Sequence, residues 1–346
     1  MNKIRIGIIR CDTHAAWYGA MMGKHDPYLL REPIARGAKS KKTWQSGAVH
    51  YYFYTIYHSP TVMTAPFVEG FEITRLWDDD REVAETLSNV FDSKPIVCDT
   101  FEQASDDVDM VFIACCAGIG DLHRELSKPG IEKGVPTFID KPLAYDLADA
   151  QAIVADAQKH DTPILSMSIL RALPQGAQFA ARLPEVGDLE FGTVRGGGSK
   201  MSGFIHTISL SQNVFGPGGV ESVQATGKEK QVHVHLHYRE GSGGPRNGVM
   251  LNCDSGATFH SAFYASAYGS QGAIHSGDLG DFQFPSGTAV ILEMCKEMVS
   301  TRRPPVPYPE ILENIAVATA AREALNSGSL VRLNDVGFDA TSSEIQ

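Results

Sequence analysis

Asp140-Lys141-Pro142 follows the apolar run Thr137 to Ile139. A lysine held by a rigid proline at the end of a strand can hydrogen-bond a substrate hydroxyl and share in its proton transfer, and Asp140 would contact the same substrate. The plain alternative is a surface lysine at a strand exit. Upstream, Gly7 to His14 reads GIIRCDTH, between a first strand and a first helix, where dinucleotide-binding chains carry GxGxxG. The fingerprint is absent: Arg10 and Asp12 stand at the first two glycine positions and Ala15 at the third. A carboxylate at the second position would face a pyrophosphate. Either Arg10 offsets that repulsion and the phosphates shift outward, or the loop binds something other than a dinucleotide. His14 belongs to the same carboxyl edge as Lys141 and could line the same pocket. Asp78, Asp79 and Asp80 follow the second strand, where an acid accepts hydrogen bonds from an adenosine ribose and repels a 2′-phosphate. Asp80 reads equally as the cap of a helix beginning at Arg81.

His233, His235 and His237 alternate along one strand and project from one face, about 7 Å apart, too far for all three to bind one ion easily. They read as a polar outer face or an oligomer contact, and no metal is expected. The aromatic string His50 to Tyr57 reads as packing or subunit contact, although aromatic faces also suit sugars.

The elements that would position these residues alternate in the first half. Strands are expected at Ile4 to Ile9, Phe71 to Trp77, Pro95 to Val97, Met110 to Ala114, Thr137 to Ile139 and Pro163 to Met167. Helices are expected at Ala15 to Met22, Arg81 to Val90 and Leu147 to His160. Alternation of this kind implies a doubly wound parallel sheet. Gly23 to Glu69 is an insertion longer than a crossover needs. After Arg171 the pattern changes: Gly192 to Gly196, Val220 to Thr226, Val232 to Tyr238, Gly248 to Cys253 and Thr258 to Tyr264 read as strands. Thr288 to Ser300 and Pro309 to Asn326 read as amphipathic helices. The class is therefore α/β, with an N-terminal parallel sheet and a C-terminal α+β domain carrying an open, mainly antiparallel sheet. The domains are drawn at 1–168 and 169–346.

Composition removes other classes. The 346 residues carry 30 basic and 41 acidic side chains, a net charge of -11, which disfavours nucleic acid, and the one basic cluster is Arg36 to Lys42. The longest apolar stretch, Met110 to Gly120, is too short to span a bilayer, and Lys3, Arg5 and Arg10 among isoleucines fit a strand better than a signal peptide. The 6 cysteines show no metal or disulfide spacing, and Cys115 and Cys116 close an apolar strand, so a reducing, cytoplasmic setting is expected.

Strand one, the acidic end of strand two, Val108 to Ala144 with its DKPLA stretch, and ILRALP at Ile169 to Pro174 together resemble the Gfo/Idh/MocA oxidoreductases. The likeness extends more weakly through Gly203 to Gly227. The resemblance implies a Rossmann-like domain and an NAD(P)-dependent oxidation of a secondary hydroxyl on a sugar, cyclitol or related polyol. It makes Lys141 the lysine of an EKP motif, preceded by Asp140 instead of Glu. The family's DxxxH pair falls on Ser202 and His206, so the imidazole remains without its acid, and the further acid expected three residues on is Ser209. Lys141 and His206 are thus the expected catalytic pair, meeting one hydroxyl from opposite domains without filling the core. Arg171, His14 and Asp140 are expected to bind substrate. Arg10, Asp12, Thr13, Asp78, Cys115 and Lys141 are expected to contact the cofactor, NAD in preference to NADP. His206 is expected to open its helix. A homo-oligomer, dimer or tetramer, is expected as well. A non-redox lyase, hydratase or isomerase on the same fold, or a sugar or nucleotide sensor, is the alternative, favoured by the altered loop and Ser202.

Overall fold

The computed structural model describes residues 3–31, 42–46, 49–56, 58–115, 119–197, 201–228, 231–254 and 262–339. Cys116 and most of the basic cluster Arg36 to Lys42 lie outside them. The chain divides into two compact units, neither continuous in sequence. The first comprises Met1–Lys141, Ala152–Ser166 and Thr288–Pro305; the second comprises Pro142–Gln151, Met167–Gly287 and Val306–Gln346. A single cut after residue 168 differs from this division, because 142–151 group with the second unit and 288–305 with the first.

In the first unit β1 (Ile4–Ile9) leads into α1 (Thr13–Met22), and the insertion forms α2 (Pro27–Arg31), α3 (Thr43–Ser46) and α4 (Val49–Phe53). Then follow β2 (Phe71–Trp77), α5 (Arg81–Val90), β3 (Ile96–Val97), β4 (Met110–Ile113), α6 (His123–Glu132), β5 (Thr137–Ile139), α7 (Leu147–Lys159) and β6 (Ile164–Leu165). The strands lie in the order β3-β2-β1-β4-β5-β6, every pair parallel. The order reverses beside β1, which is where open α/β sheets hold ligands at their carboxyl ends.

The sequence dictates this burial. Ile6, Ile8 and Ile9 of β1 are wholly buried, as a parallel strand covered on both faces requires. Gly7 is needed for packing, since a Cβ there would stand 1.8 Å from the Ala104 carbonyl oxygen. Tyr18 of α1 packs on Phe112 and Phe138, whose rings stack at 4.4 Å, and this fastens α1 beneath the carboxyl edge. Part of the aromatic string is structural: Tyr52 and Phe53 pack on Trp17 at 5.6 and 4.7 Å.

The second unit contains α8 (Pro174–Ala180), β7 (Leu189–Arg195), α9 (Met201–Phe215), β8 (Val220–Lys228), β9 (Gln231–Tyr238), β10 (Val249–Asp254), β11 (Tyr264–Gly269) and β12 (Gly272–His275). After α10 (Phe284–Thr301), which belongs to the first unit from Thr288 on, come α11 (Tyr308–Ser327) and β13 (Val331–Arg332). The sheet order is β12-β11-β7-β10-β9-β8-β13. Among the described residues, β7 and β10 are the one parallel pair of this sheet.

Two expectations need correction. The strand expected at Thr258 to Tyr264 instead begins at Tyr264, and 255–261 lie outside the described residues. Helix α11 is not amphipathic: it packs on both β8 and α9, so Glu313 and Asn314 are buried along with its apolar residues. Glu313 is tolerated because its carboxylate accepts the Gly218 N–H at 2.7 Å, the Val220 N–H at 3.2 Å and the Gln212 amide at 2.9 Å. Among the described residues no helix is long and apolar enough to cross a membrane.

Candidate active site

Asp140 directly follows β5, and its N–H still donates to the Ile113 carbonyl at 3.0 Å, so the strand ladder fixes the start of the DKP turn. Its side chain is fully buried, and Oδ2 lies 2.5 Å from His14 Nδ1. His14 reaches that position from the first turn of α1, a helix capped by Asp12, whose carboxylate accepts the His14 N–H at 2.9 Å. Lys141 is itself buried, with 5% exposure, so the expectation that it stays out of the core was wrong. His123, the first residue of α6, is also fully buried and acts electrostatically on Asp140. Burial raises the pKa of Asp140, but facing His14, Lys141 and His123 it ends below the usual carboxylate range. Its second oxygen, Oδ1, has no hydrogen-bond partner among the described residues.

The loop after β1 keeps a glycine-like turn without the glycine. Arg10 has φ 72°, the left-handed region that costs an ordinary residue roughly 1–2 kcal/mol. Its N–H donates to the Trp77 carbonyl at 2.8 Å, and its guanidinium pairs with Asp79 at 2.6 Å and stands 4.0 Å from Asp78. Asp78 accepts the Cys11 N–H at 2.7 Å and the Asp80 N–H at 3.0 Å, tying β2 to the loop. Burial first, and then a hydrogen bond shared with Asp79, push the Asp78 pKa up to about 6, whereas Asp79 sits below its usual value. Asp80 does cap α5, accepting the Glu82 N–H at 3.2 Å. Thr13 is the first residue of α1, and Cys115 is a buried thiol past the end of β4, close enough to Arg10 to interact with it electrostatically. These residues fit a dinucleotide. The Asp78–Asp79 pair retains acceptor capacity for a ribose diol, and Arg10, paired with Asp79, puts a cation in the loop that precedes α1. Asp12, expected to face the phosphates, is also the α1 cap, so its charge stands at the helix N-terminus.

In the second unit His206 lies in the second turn of α9, not at its opening as expected. Its Nδ1 is 2.6 Å from Ser168 Oγ, which also accepts the Leu170 N–H at 3.1 Å. The imidazole packs on Phe284 and Phe263, each at 6.2 Å. Arg171 is committed elsewhere: its guanidinium pairs with the Glu310 carboxylate, joining the Ile169 to Pro174 turn to α11 instead of presenting a free cation to substrate. Ser209 accepts the Asn314 amide at 3.0 Å, which turns it toward α11. The side chain of Ser202 lies outside the described residues.

The structure thus brings His14, Asp140 and Lys141 together in the first unit and keeps Arg10, Asp12 and Asp78 in the adjoining loop. His206 belongs to the second unit with Ser168. Ser168, His123 and Tyr18 went unnoticed in the sequence. A histidine opening a helix just before the DKP strand was the only available sign of His123, and nothing local marks Ser168. Among the described residues no group of His, Cys, Asp and Glu is placed to hold a metal ion. On β9, His233 hydrogen-bonds Asn252 and His235 the Asn247 carbonyl, both at 2.8 Å.

Comparison with known proteins follows the same lines. Residues 52–167 match the Gfo/Idh/MocA model, described as an oxidoreductase family with an NAD-binding Rossmann fold. The match starts after the altered loop. A D-apiose dehydrogenase of Paraburkholderia graminis is 31% identical over 99 residues, 28% of this chain and 26% of that protein, so the likeness spans about a quarter of that relative's length. Among solved structures, a myo-inositol dehydrogenase from Corynebacterium glutamicum superposes with TM-score 0.68 at 16% identity, covering 96% of this chain and 99% of its own. A scyllo-inositol dehydrogenase from Lactobacillus casei, bound to NAD(H) and scyllo-inositol, gives 0.66 at 12%, covering 96% and 100%. Identities this low establish the shared fold.

Proposed function

We propose that this chain, whose residues 52–167 match the Gfo/Idh/MocA oxidoreductase family, is an NAD-dependent dehydrogenase that oxidises a secondary hydroxyl of a sugar, cyclitol or related polyol. The observation that carries this reading is the buried Asp140-Lys141 turn at the carboxyl edge, beside the point where the strand order reverses. NAD, when bound, supplies the hydride acceptor. Lys141 holds the reacting hydroxyl and assists its deprotonation, with its charge stabilising the developing alkoxide in a site that excludes most water. His206, oriented by Ser168 in the second unit, is the second catalytic group of this reading. Arg10 and Thr13 attend the phosphates. Asp78 and Asp79 accept from the adenosine ribose and repel a 2′-phosphate, which selects NAD over NADP.

A second reading, a non-redox lyase or isomerase, draws on the Asp12 carboxylate, which already occupies the α1 N-terminus. The two separate in one assay. The purified chain is incubated with NAD⁺ or NADP⁺ and myo-inositol, scyllo-inositol or D-apiose, and reduced cofactor is followed by absorbance. NADH formation from at least one polyol, with NADP⁺ a poor substitute, is expected. Polyol consumed without NADH supports the non-redox reading, and no saturable NADH binding overturns the dehydrogenase.

A further inference from the structure

We propose that His14 is a proton-transfer group of this site, an imidazole on the first turn of α1 oriented by the buried Asp140 carboxylate. The proposal rests on the dehydrogenase reading and adds to it the group that receives the proton.

An ionised carboxylate can only accept hydrogen bonds, so the 2.5 Å contact makes His14 Nδ1 the donor and leaves Nε2 as the basic nitrogen of the neutral ring. The imidazole is held on several sides: its backbone N–H by Asp12, its Nδ1 by Asp140, and its edge by Tyr18 at 6.1 Å. A base placed this way needs no ordering when substrate arrives. Its side chain keeps 17% exposure while that of Asp140 keeps 1%, so the pair is closed on the carboxylate side and open on the imidazole side. A buried ion pair kept only for stability is matched by apolar residues of similar volume. A carboxylate behind a partly open imidazole is instead the arrangement of a base whose cationic form must be stabilised. The titratable groups facing the pair are Asp12 in the loop, Tyr18 on α1, Lys141 after β5 and His123 on α6.

In the step itself the substrate O–H bond breaks and its proton passes to Nε2. The carbinol C–H bond breaks at the same centre, its electron pair leaves as hydride to NAD⁺, and a C=O bond forms. The products are the ketone, NADH and a His14 imidazolium facing Asp140, which then gives its proton to solvent through the open edge.

The test uses the full chain, as wild type, His14→Gln and Asp140→Asn, with NADH affinity measured by fluorescence and turnover by NADH formation from the same three polyols. Both variants are expected to lower kcat roughly 100- to 10,000-fold, with NADH affinity and KM within about threefold of wild type. A kcat within about threefold of wild type for His14→Gln overturns the proposal. A second readout does not depend on turnover. Histidine-labelled protein should show one low-field, exchange-protected Nδ1 proton that Asp140→Asn abolishes, and its absence from wild type overturns the pair. A wild type that shows this proton but makes no NADH overturns the dehydrogenase reading, and the catalytic role with it, while the pairing stands.

Discussion

Replacing Asp12 by Asn takes one negative charge from the first turn of α1 yet keeps an oxygen able to accept the His14 N–H, now 2.9 Å away. Asn caps helices about as well as Asp, so stability should move by less than about 0.5 kcal/mol, whereas Asp12→Ala forfeits the cap at a cost of about 1 kcal/mol. The cofactor pyrophosphate carries like charge. At roughly 5 Å in a water-like dielectric each such pair repels by about 0.8 kcal/mol, and Arg10 cancels part of it. The net gain for Asp12→Asn should be about 1 kcal/mol, a roughly fivefold lower Kd for NADH. Fluorescence titration of NADH, beside urea unfolding of the same samples, measures both quantities. Equal or weaker NADH binding by Asp12→Asn at unchanged stability would refute the reasoning, because the carboxylate would then act only as a cap.

Asp78 has a folded-state pKa raised to about 6, so the folded protein holds a proton there that the unfolded chain releases from about pH 4 upward. Stability relative to Asp78→Asn should therefore fall between about pH 4 and 6 and level off above, and a flat difference across that window contradicts the assignment. Asp140 works with the opposite sign: its folded-state pKa is lowered, so the stability it contributes is complete above about pH 4 and fades as the solution is acidified further, which urea unfolding of wild type against Asp140→Asn should show. Lys141→Ala and His206→Ala should each cut turnover roughly 100- to 10,000-fold, with a combined loss smaller than the product; full multiplicativity would mean they serve separate steps. Gly7→Ala should prevent stable folding, since the new methyl would stand 1.8 Å from the Ala104 carbonyl oxygen, and a soluble variant with wild-type unfolding would show that β1 can shift.

Much of the first unit was legible because its strands are short apolar runs bounded by charged or glycine-containing turns. Phe71 to Trp77 and Thr137 to Ile139 fall where periodicity puts them. The second unit was harder. Strand β11 reads YASAYG, with small residues on its buried face and little apolar signal, and α11 is buried too fully to show a polar face. In the candidate site the lysine and the acidic end of β2 follow from position along the chain. The 2.5 Å pairing of His14 with Asp140 does not, because those residues are 126 positions apart and only the closing of the sheet joins them. For the same reason Arg171 read as a substrate ligand until α11 brought Glu310 to it.

Hydride transfer itself is the claim on which the rest depends, and carbon-deuterated myo-inositol or scyllo-inositol tests it directly. After incubation with the purified chain and NAD⁺, mass spectrometry of the reduced cofactor should find one deuterium on the nicotinamide ring, matched by an equal amount of ketone. Deuterated polyol consumed with the nicotinamide cofactor left oxidised and unlabelled would contradict the account.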